Sequence, residues 1–222
     1  MKKCVVYTTI TKGYDILKKP LQQNNDFDFI CFSDDENLKS DFWQIQPIQT
    51  PKLDQTRKAR YLKLHPHLLF PDYQHSIWVD GSLSIVNNLQ TLLDEVAQQS
   101  KLGVYAHAKR NSLYQAALNC IDKQKDDPAI IQKQMSYYKK IGYPENNGLV
   151  ASGVLVRNHH NQGVINLMNL WWQQIYTFSK RDQLSFNYAC WEYNFQYYPI
   201  PKKIGDGRFF RRNAHQRAVT LR

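Results

Sequence analysis

The sequence predicts an α/β fold with a mixed, mostly parallel sheet flanked by helices. Short apolar runs alternate with segments whose apolar residues recur at helical spacing, which is typical of a sheet layered with helices. With 222 residues, 42% of them hydrophobic, the chain is long enough to bury the core of one domain. We expect that domain to span residues 1–222, with a basic, weakly patterned tail at 202–222 that orders over a ligand.

Strands are predicted where short apolar or β-branched runs end in turn-forming residues. In chain order they cover residues 4–10, 27–32, 42–48, 77–80, 84–87, 102–107, 149–157 and 195–200. Helices are predicted where apolar residues, or cations in the first helix, recur every three or four positions. They cover residues 57–65, 89–99, 112–121, 129–140, 163–179 and 183–192. The first helix carries cations at this spacing and ends at Pro66.

The chain is strongly basic. It contains 29 lysine and arginine residues against 19 aspartate and glutamate residues, which gives a formal net charge of +10 and a pI near 9.4. This charge fits an anionic partner, such as a nucleotide, a nucleic acid, an acidic glycan or an anionic membrane surface. The basic residues lack the aromatic interleaving of RNA-binding strands, so we expect no nucleic-acid partner.

Targeting and redox features favour the cytoplasm. The first apolar run breaks at Thr8, so no signal-peptide core follows the N-terminal lysines. No uncharged apolar stretch is long enough to span a bilayer. The four cysteines are scattered without a C-x-x-C pair, which fits a reducing compartment. We expect a cytoplasmic protein whose membrane contact is limited to peripheral binding at the inner face.

The common nucleotide-binding and hydrolytic motifs are absent from the sequence. It contains no G-x-x-x-x-G-K-[ST] or G-x-G-x-x-G loop for phosphate binding. It also lacks the G-x-S-x-G nucleophile turn and the H-E-x-x-H zinc motif. These absences exclude the enzyme classes that depend on those motifs.

The segment 76–82, Ser-Ile-Trp-Val-Asp-Gly-Ser, is the most informative part of the chain. It predicts a buried strand that carries Asp80 into a turn. Ligands of open α/β sheets bind outside the carboxyl ends of the strands, so we expect Asp80 to face a ligand crevice. The cationic helix before it suits a phosphate-bearing ligand, with or without a metal ion. The alternative is an ordinary Asp-Gly-Ser turn.

Two further stretches place polar or small residues at strand ends. His107 and Arg110 follow the strand at 102–107, where the alternative is a solvated loop. Gly153 lies where a backbone can pass close to a ligand, and a tight turn is the alternative.

The segment 179–187 is the most specific of the later stretches. It places Asp182 and Gln183 at the start of a predicted helix, whose N-terminus favours anionic and hydroxyl-rich ligands. Together with Asp80, Asp182 supplies a second carboxylate, and sugar chemistry uses carboxylates as base, nucleophile or hydroxyl anchor. The alternative is that Asp182 is a plain helix cap.

The order of these parts resembles a known family of enzymes. The residues that carry the resemblance are Lys58, Ala59, Arg60, Lys63, residues 77–81, His107, Arg110, Tyr114 and residues 179–186. The order is that of GT-A glycosyltransferases, including glycogenin-like and galactosyltransferase-like enzymes. The sequence is most similar to the glycosyltransferase-like family linked to mucilage polysaccharide synthesis, once catalogued as a domain of unknown function. This resemblance covers residues 4–192 and implies a GT-A, Rossmann-like fold.

The resemblance implies a nucleotide-sugar donor that lies across the first strands. The donor-binding residues that it implies are Thr8, Thr9, Lys12, Asp34, Arg60, Lys63, Asp80, Ser82, His107, Arg110 and Gly153. Arg60 and Lys63 would balance the diphosphate, because guanidinium and ammonium groups suit phosphate oxygens. We expect Asp182 and Gln183 to be the catalytic residues, with Asp182 nearest to the reacting sugar and Gln183 on its hydroxyl groups.

The resemblance also implies a divalent cation, Mn²⁺ or Mg²⁺, that bridges the diphosphate and assists the leaving group. Asp80 is its expected ligand. Ser82 stands where the usual Asp-x-Asp motif has its second acid, so either another ligand completes the site or cations replace the metal. A late histidine completes the site in glycogenin-like enzymes, and His215 matches that histidine by its order in the chain.

These expectations describe a glycosyltransferase that moves a sugar from a nucleotide-sugar donor to a glycan or glycolipid acceptor, in bacterial surface polysaccharide synthesis. The first alternative is a non-catalytic glycan- or nucleotide-binding module of the same fold, which Ser82 in place of an acid favours. The second is a basic nucleic-acid-binding protein, which the charge alone supports.

Overall fold

The computed structural model describes residues 2–22 and 26–214. Its strands are β1 (Lys2–Ile10), β2 (Phe27–Ser33), β3 (Gln44–Pro47), β4 (Tyr73–Val79), β5 (Leu83–Ile85), β6 (Leu102–Ala106), β7 (Val150–Arg157), β8 (Tyr198–Ile200) and β9 (Phe210–Arg212). Its helices are α1 (Gln55–Leu64), α2 (Pro66–Leu69), α3 (Gln90–Gln99), α4 (Leu113–Asp122), α5 (Pro128–Lys140), α6 (Gln162–Thr177) and α7 (Phe186–Glu192). A 3₁₀ turn, Asp182–Leu184, precedes α7. None of the helices in these ranges combines the length and the apolar content needed to cross a bilayer.

Seven strands form one mixed sheet in the order β3-β2-β1-β4-β7-β6-β8. The pairs β1–β2, β1–β4, β2–β3 and β6–β8 are parallel. Strand β7 runs antiparallel to both of its neighbours, β4 and β6. Strands β5 and β9 form a separate antiparallel pair. The predicted mixed, mostly parallel sheet is therefore confirmed.

Both faces of the large sheet are buried. Along β1, Cys4 and Val6 pack into the apolar cluster on one face, while Val5 and Tyr7 pack into the cluster on the other. Helix α3 covers the first face, and α1, α6 and α7 cover the second. A strand buried on both faces is apolar at successive positions, and that run is the signal that made β1 recognisable in the sequence.

Helix α1 is positioned by its two ends. At the start, the side chain of Asp54 accepts the backbone N–H of Arg57 at 3.0 Å, as a helix cap does. At the end, residues 62–64 are buried against the sheet, and Pro66 follows. Residues three apart share one face of a helix. Arg60 and Lys63 therefore approach the same partner, the carboxylate of Asp182.

The chain after residue 202 is more ordered than its sequence predicts. Strand β9 pairs with β5, and Phe209 and Phe210 are only 3% and 1% exposed. The alternating apolar residues of β5, Leu83 and Ile85, are also buried in the core on this side of the sheet. The pairing of β9 with β5 thus holds this segment against the core. Residues 215–222 lie outside the described part of the chain.

Other predicted elements also differ from the structure in their bounds, and two of these differences bear on the site. Strand β4 begins at Tyr73 and not at residue 77, because polar residues that give no apolar signal still join the ladder with β1. The helix predicted at 183–192 is divided into the 3₁₀ turn and α7. Asp182 opens the turn, but its side chain makes no capping hydrogen bond there. Its carboxylate instead contacts Arg60 and Lys63.

Candidate functional site

A crevice of about 500 Å³ opens at the carboxyl ends of β1 and β4. Its walls come from the loop after β1, the first half of α1 and the turn after β4. Lys125, Arg181 and Arg212 reach it from three other parts of the chain. This edge of an α/β sheet is where such folds bind ligands, and the volume is that of a ligand pocket.

Asp80 follows β4 directly and lines this crevice. Its backbone N–H donates to the carbonyl of Gly153 at 2.8 Å, so β7 fixes its position. The indole N–H of Trp78 donates to Asp80 Oδ1 at 2.7 Å. The side chain remains 36% exposed. Asp80 is thus a carboxylate that is held by its own strand and still accessible from the crevice.

Gly153 allows β7 to pass close to Asp80. A Cβ atom at this position would lie 3.1 Å from Asp80 Oδ2 and 3.0 Å from Ile204 Cδ1. Both distances are shorter than ordinary van der Waals contacts, so a side chain here would displace the carboxylate. The sequence predicts a close approach of this backbone to a ligand, whereas the structure shows a close approach to Asp80.

Lys63 lies behind the crevice and does not line it. Its side chain is 0% exposed, and Nζ lies 2.5 Å from Asp182 Oδ2 and 3.9 Å from Asp80 Oδ1. The rings of Trp78 and Trp171 lie under the same ammonium group, at 5.7 and 5.8 Å. Burial lowers the pKa of Lys63, and the charges of the two carboxylates oppose that shift. The geometry places Lys63 between two acids and not against an open diphosphate site.

Asp182 is the buried partner of both cations on α1. Its Oδ2 also accepts the hydroxyl of Ser152 at 3.1 Å, and its Oδ1 lies 3.3 Å from Arg60 Nε. Burial alone would raise the pKa of the Asp182 carboxyl. The positive charges of Arg60 and Lys63 outweigh burial and hold that pKa well below its usual value. Asp182 is therefore a fixed negative charge at neutral pH.

The predicted donor-binding residues of the first strands lie along the crevice or beside it. Thr9, Lys12, Arg60 and Ser82 line it. Thr8 precedes Thr9 on β1 and is only 3% exposed. Asp34 lies on the neighbouring loop, where Oδ1 accepts the backbone N–H of Lys12 at 2.9 Å. Four of the six therefore line the crevice, whereas Thr8 and Asp34 lie beside it.

Three other predicted site residues are held in contacts outside the crevice. The side-chain amide of Gln183 donates to the carbonyl of Val150 at 2.6 Å. His107 Nδ1 accepts the backbone N–H groups of Lys109 and Arg110, and a guanidinium N–H of Arg110 donates to Asn119. None of the three lines the crevice. In this structure they hold β7 and the loop after β6 in place.

Several residues of the crevice were not predicted as site residues. Asp15 lies beside the turn after β4, since a Cβ atom on Gly81 would be 3.3 Å from Asp15 Oδ2. Arg181 immediately precedes Asp182 in the sequence, and that position could have identified it as a candidate site residue. Arg212 is placed in the crevice by the pairing of β9 with β5, and no local sequence pattern predicts that pairing.

The described residues do not fit the divalent cation predicted at Asp80 and His215. Within residues 2–22 and 26–214, no group of three or more His, Cys, Asp or Glu side chains could hold a metal ion. Asp80 Oδ1 is already bonded to Trp78 and lies close to the Lys63 ammonium group. The side chain of Ser82 is a weak ligand beside a carboxylate. His215 lies outside the described residues.

Comparison with protein families gives one match that covers most of the chain. Residues 1–203 match the family model of the TOD1/MUCI70 glycosyltransferase-like domain. A curated relative, the probable hexosyltransferase MUCI70 of Arabidopsis thaliana, is 26% identical over 219 residues, which cover 84% of this chain. The chain spans 37% of that relative's length.

Two solved glycosyltransferase structures are similar to the chain, one of them with a TM-score above 0.5. Mouse xyloside xylosyltransferase 1, in its apo form, superposes with a TM-score of 0.51 at 14% identity, covering 88% of this chain and 84% of its own. The glycosyltransferase GlyE of Streptococcus pneumoniae TIGR4 gives a TM-score of 0.48 at 14% identity, covering 90% and 46%. The first likeness confirms the predicted GT-A fold.

Proposed function

The chain belongs to the family of TOD1/MUCI70 glycosyltransferase-like domains, and we propose that it transfers a sugar from a nucleotide-sugar donor to a glycan or glycolipid acceptor. One observation carries the proposal. Among the residues that the structure describes, every one that lines the crevice, except Arg212, lies within the matched residues 1–203. The family match therefore includes nearly all of the crevice at the strand ends.

The charge of the crevice supports a donor that contains a diphosphate. Arg60 and Arg181 flank Asp182, and Lys12 and Arg212 line other walls. Guanidinium groups form paired hydrogen bonds with phosphate oxygens. In the transfer, the bond between the anomeric carbon and the diphosphate oxygen breaks, and its electron pair leaves with that oxygen. The cations stabilise this charge, the oxygen of the acceptor hydroxyl bonds to the anomeric carbon, and the hydroxyl proton passes to the departing diphosphate oxygen.

The two carboxylates have different roles in this proposal. Asp80 is accessible, so it contacts the substrate and accepts hydrogen bonds from sugar hydroxyl groups. Asp182 is 4% exposed, and both of its oxygens already have partners in the protein. An acid with a strongly lowered pKa is a poor general base near neutral pH. Its role is to hold Arg60 in position and to supply negative charge from beneath the crevice.

The donor sugar and the acceptor are part of the proposal. The relative's name, probable hexosyltransferase, makes hexose donors the first to test. The net charge of +10 suits an acidic glycan or a glycolipid at an anionic membrane surface. We propose an acceptor from surface polysaccharide synthesis and a cytoplasmic location with peripheral contact at the inner face of the membrane.

A non-catalytic module of the same fold is the second candidate. Ser82 in the position of a second acid favours it, and so does the carboxylate of Asp182, whose oxygens are already bonded to Lys63 and Ser152. Such a module would bind a nucleotide sugar without breaking its glycosidic bond.

One assay separates these candidates. The wild-type chain is incubated with UDP-, GDP-, dTDP- and CMP-sugars, with and without oligosaccharide acceptors, and released nucleotides are measured by anion-exchange chromatography. The proposal expects release from donors of one base, accelerated by an acceptor. Donor binding in a thermal-shift assay without any release supports the module. Neither binding nor release with any donor contradicts both candidates.

A further inference from the structure

The crevice has an unusual balance of charge for a site that is expected to hold a metal. Among the described residues that line it, the cations are Lys12, Arg60, Lys125, Arg181 and Arg212, and the carboxylates are Asp15 and Asp80. A divalent cation held by protein needs carboxylate oxygens that are free to coordinate it. Positive side chains around one accessible acid oppose metal binding and favour an anion.

Two of these arginines have buried donors that the protein leaves unsatisfied. Arg60 Nε and Arg181 Nε are buried and donate no hydrogen bond. Arg60 Nε lies 3.3 Å from Asp182 Oδ1, but its geometry makes an ion contact and not a hydrogen bond. A buried donor without a partner calls for an explanation, and a bound ion is one. Arg60 and Arg181 both lie beside Asp182, the acid that the sequence predicts to be nearest to the reacting sugar.

Arg212 is brought to the crevice by a part of the chain that the family match does not include. The match ends at residue 203, whereas β9 begins at Phe210. Phe210 is 1% exposed and anchors the strand in the core, and the backbone N–H of Asn213 donates to the carbonyl of Ser82 at 2.9 Å. The segment that carries Arg212 is thereby fixed beside the turn after Asp80.

Ser82 and Arg212 therefore belong to one local arrangement. Ser82 stands where the expected metal motif has its second acid. Strand β9, which pairs with β5, places the guanidinium group of Arg212 in the same crevice. Ser82 weakens a metal site at Asp80, and Arg212 supplies positive charge where the metal ion would have supplied it.

We propose that this chain binds the diphosphate of its donor through Arg60, Arg181 and Arg212 in place of a divalent cation. The proposal rests on the function proposed above, since it concerns the donor of that reaction. The guanidinium groups neutralise the diphosphate in the bound donor and the nucleoside diphosphate in the product. Chelation of divalent metals leaves donor binding unchanged.

The test is calorimetric titration of the full chain with UDP, GDP, CDP and dTDP, each in excess EDTA and in Mn²⁺. The proposal expects one of them to bind with the same Kd, within about twofold, under both conditions. Arg181→Gln and Arg212→Gln are expected to weaken binding in EDTA by about tenfold each, because each removes charge-assisted hydrogen bonds. Thermal unfolding without ligand shows whether each variant is folded.

Arg211→Gln is the matched control. Arg211 precedes Arg212 on β9, so its side chain points to the opposite face of the strand, and it does not line the crevice. Its Kd is expected to equal that of the wild type. Arg212 is also exposed, so its substitution is not expected to unfold the protein. If Arg212→Gln binds the nucleotide as tightly as Arg211→Gln does, the proposed role of Arg212 is overturned.

The outcomes distinguish the two proposals. Binding that requires Mn²⁺ and disappears in EDTA overturns the metal-independent site, while the nucleotide-sugar donor stands. Failure of all four nucleotides and of their sugar conjugates to bind under either condition contradicts the proposed function itself, and the inference falls with it.

Discussion

The ammonium group of Lys63 lies 2.5 Å from the carboxylate of Asp182, and both side chains are buried beneath the crevice. The two residues are 119 positions apart in the chain, so the pair ties α1 to the turn before α7. Because Asp80 Oδ1 lies 3.9 Å from the same Nζ, one lysine contacts both acids of the candidate site.

Lys63→Met is expected to lower the free energy of unfolding by about 3–5 kcal/mol, because it leaves a buried carboxylate without its closest cation. Urea denaturation at pH 7 measures the change. Lys58→Met, a substitution of a half-buried lysine on the same helix, serves as the control and is expected to change stability by less than about 0.5 kcal/mol. Equal effects of the two substitutions would show that the Lys63–Asp182 pair does not stabilise the fold.

Asp182→Asn is expected to reduce turnover by roughly 100-fold while donor affinity changes by less than about threefold. The amide keeps the shape of the carboxylate and an oxygen that faces Arg60, but it removes the negative charge beneath the crevice that we expect the transition state to require. Single-turnover rates and calorimetric Kd values for the same donor separate the two effects. Equal losses of rate and affinity would instead identify Asp182 as a binding residue.

Gly153→Ala is expected to displace Asp80, because the added Cβ atom would lie 3.1 Å from Oδ2. Activity should fall together with stability, the latter by about 1–3 kcal/mol as for other overpacked sites. A double-mutant cycle with Asp80→Ala checks the cause, since removal of the carboxylate removes one of the two short contacts. The Gly153→Ala cost should then be smaller in the Asp80→Ala background. An unchanged cost would point to the Ile204 contact alone.

Stability is expected to fall as the pH drops from about 6.5 to about 4, because several histidines are held neutral in the folded state. Burial, with the charges of His65 and Arg157, lowers the pKa of His67 to about 4. Burial and Arg157 lower that of His159 to about 3 despite its contact with the Phe70 carbonyl. Below pH 6.5 the unfolded chain binds more protons than the folded chain, so stability is fully present above that pH and is lost on acidification.

Urea denaturation between pH 4 and pH 8 measures this dependence. Each such histidine contributes a slope of at most about 1.4 kcal/mol per pH unit. His67→Gln, at the less buried of the two positions, should give a shallower slope. A flat profile between pH 4.5 and pH 7 would contradict these shifts.

The sequence predicted the parts of the fold that have a local cause. Buried strands such as β1 are apolar at successive positions, and Asp80 is marked by its place at the end of such a strand. The identity of α1 followed from its periodic residues and from Pro66 at its end. These signals lie within a few residues of the features that they predict.

The remaining features depend on contacts between distant parts of the chain. Lys63 and Arg60 are equivalent cations in the sequence, and only the packing of α1 shows that Lys63 is enclosed while Arg60 lines the crevice. The antiparallel direction of β7 and the pairing of β9 with β5 likewise have no local signature. Arg212 could therefore not be assigned to the site from its position in a basic tail.

The most direct test of the central claim is the turnover of Asp80→Asn with the donor that the nucleotide-sugar panel identifies. Asp72→Asn is the matched control, because Asp72 is an exposed acid just before the opposite end of the same strand, β4. The account predicts that Asp80→Asn loses roughly 100-fold or more in kcat/KM and that Asp72→Asn retains wild-type turnover. Wild-type turnover by Asp80→Asn would contradict the placement of the reaction at this crevice.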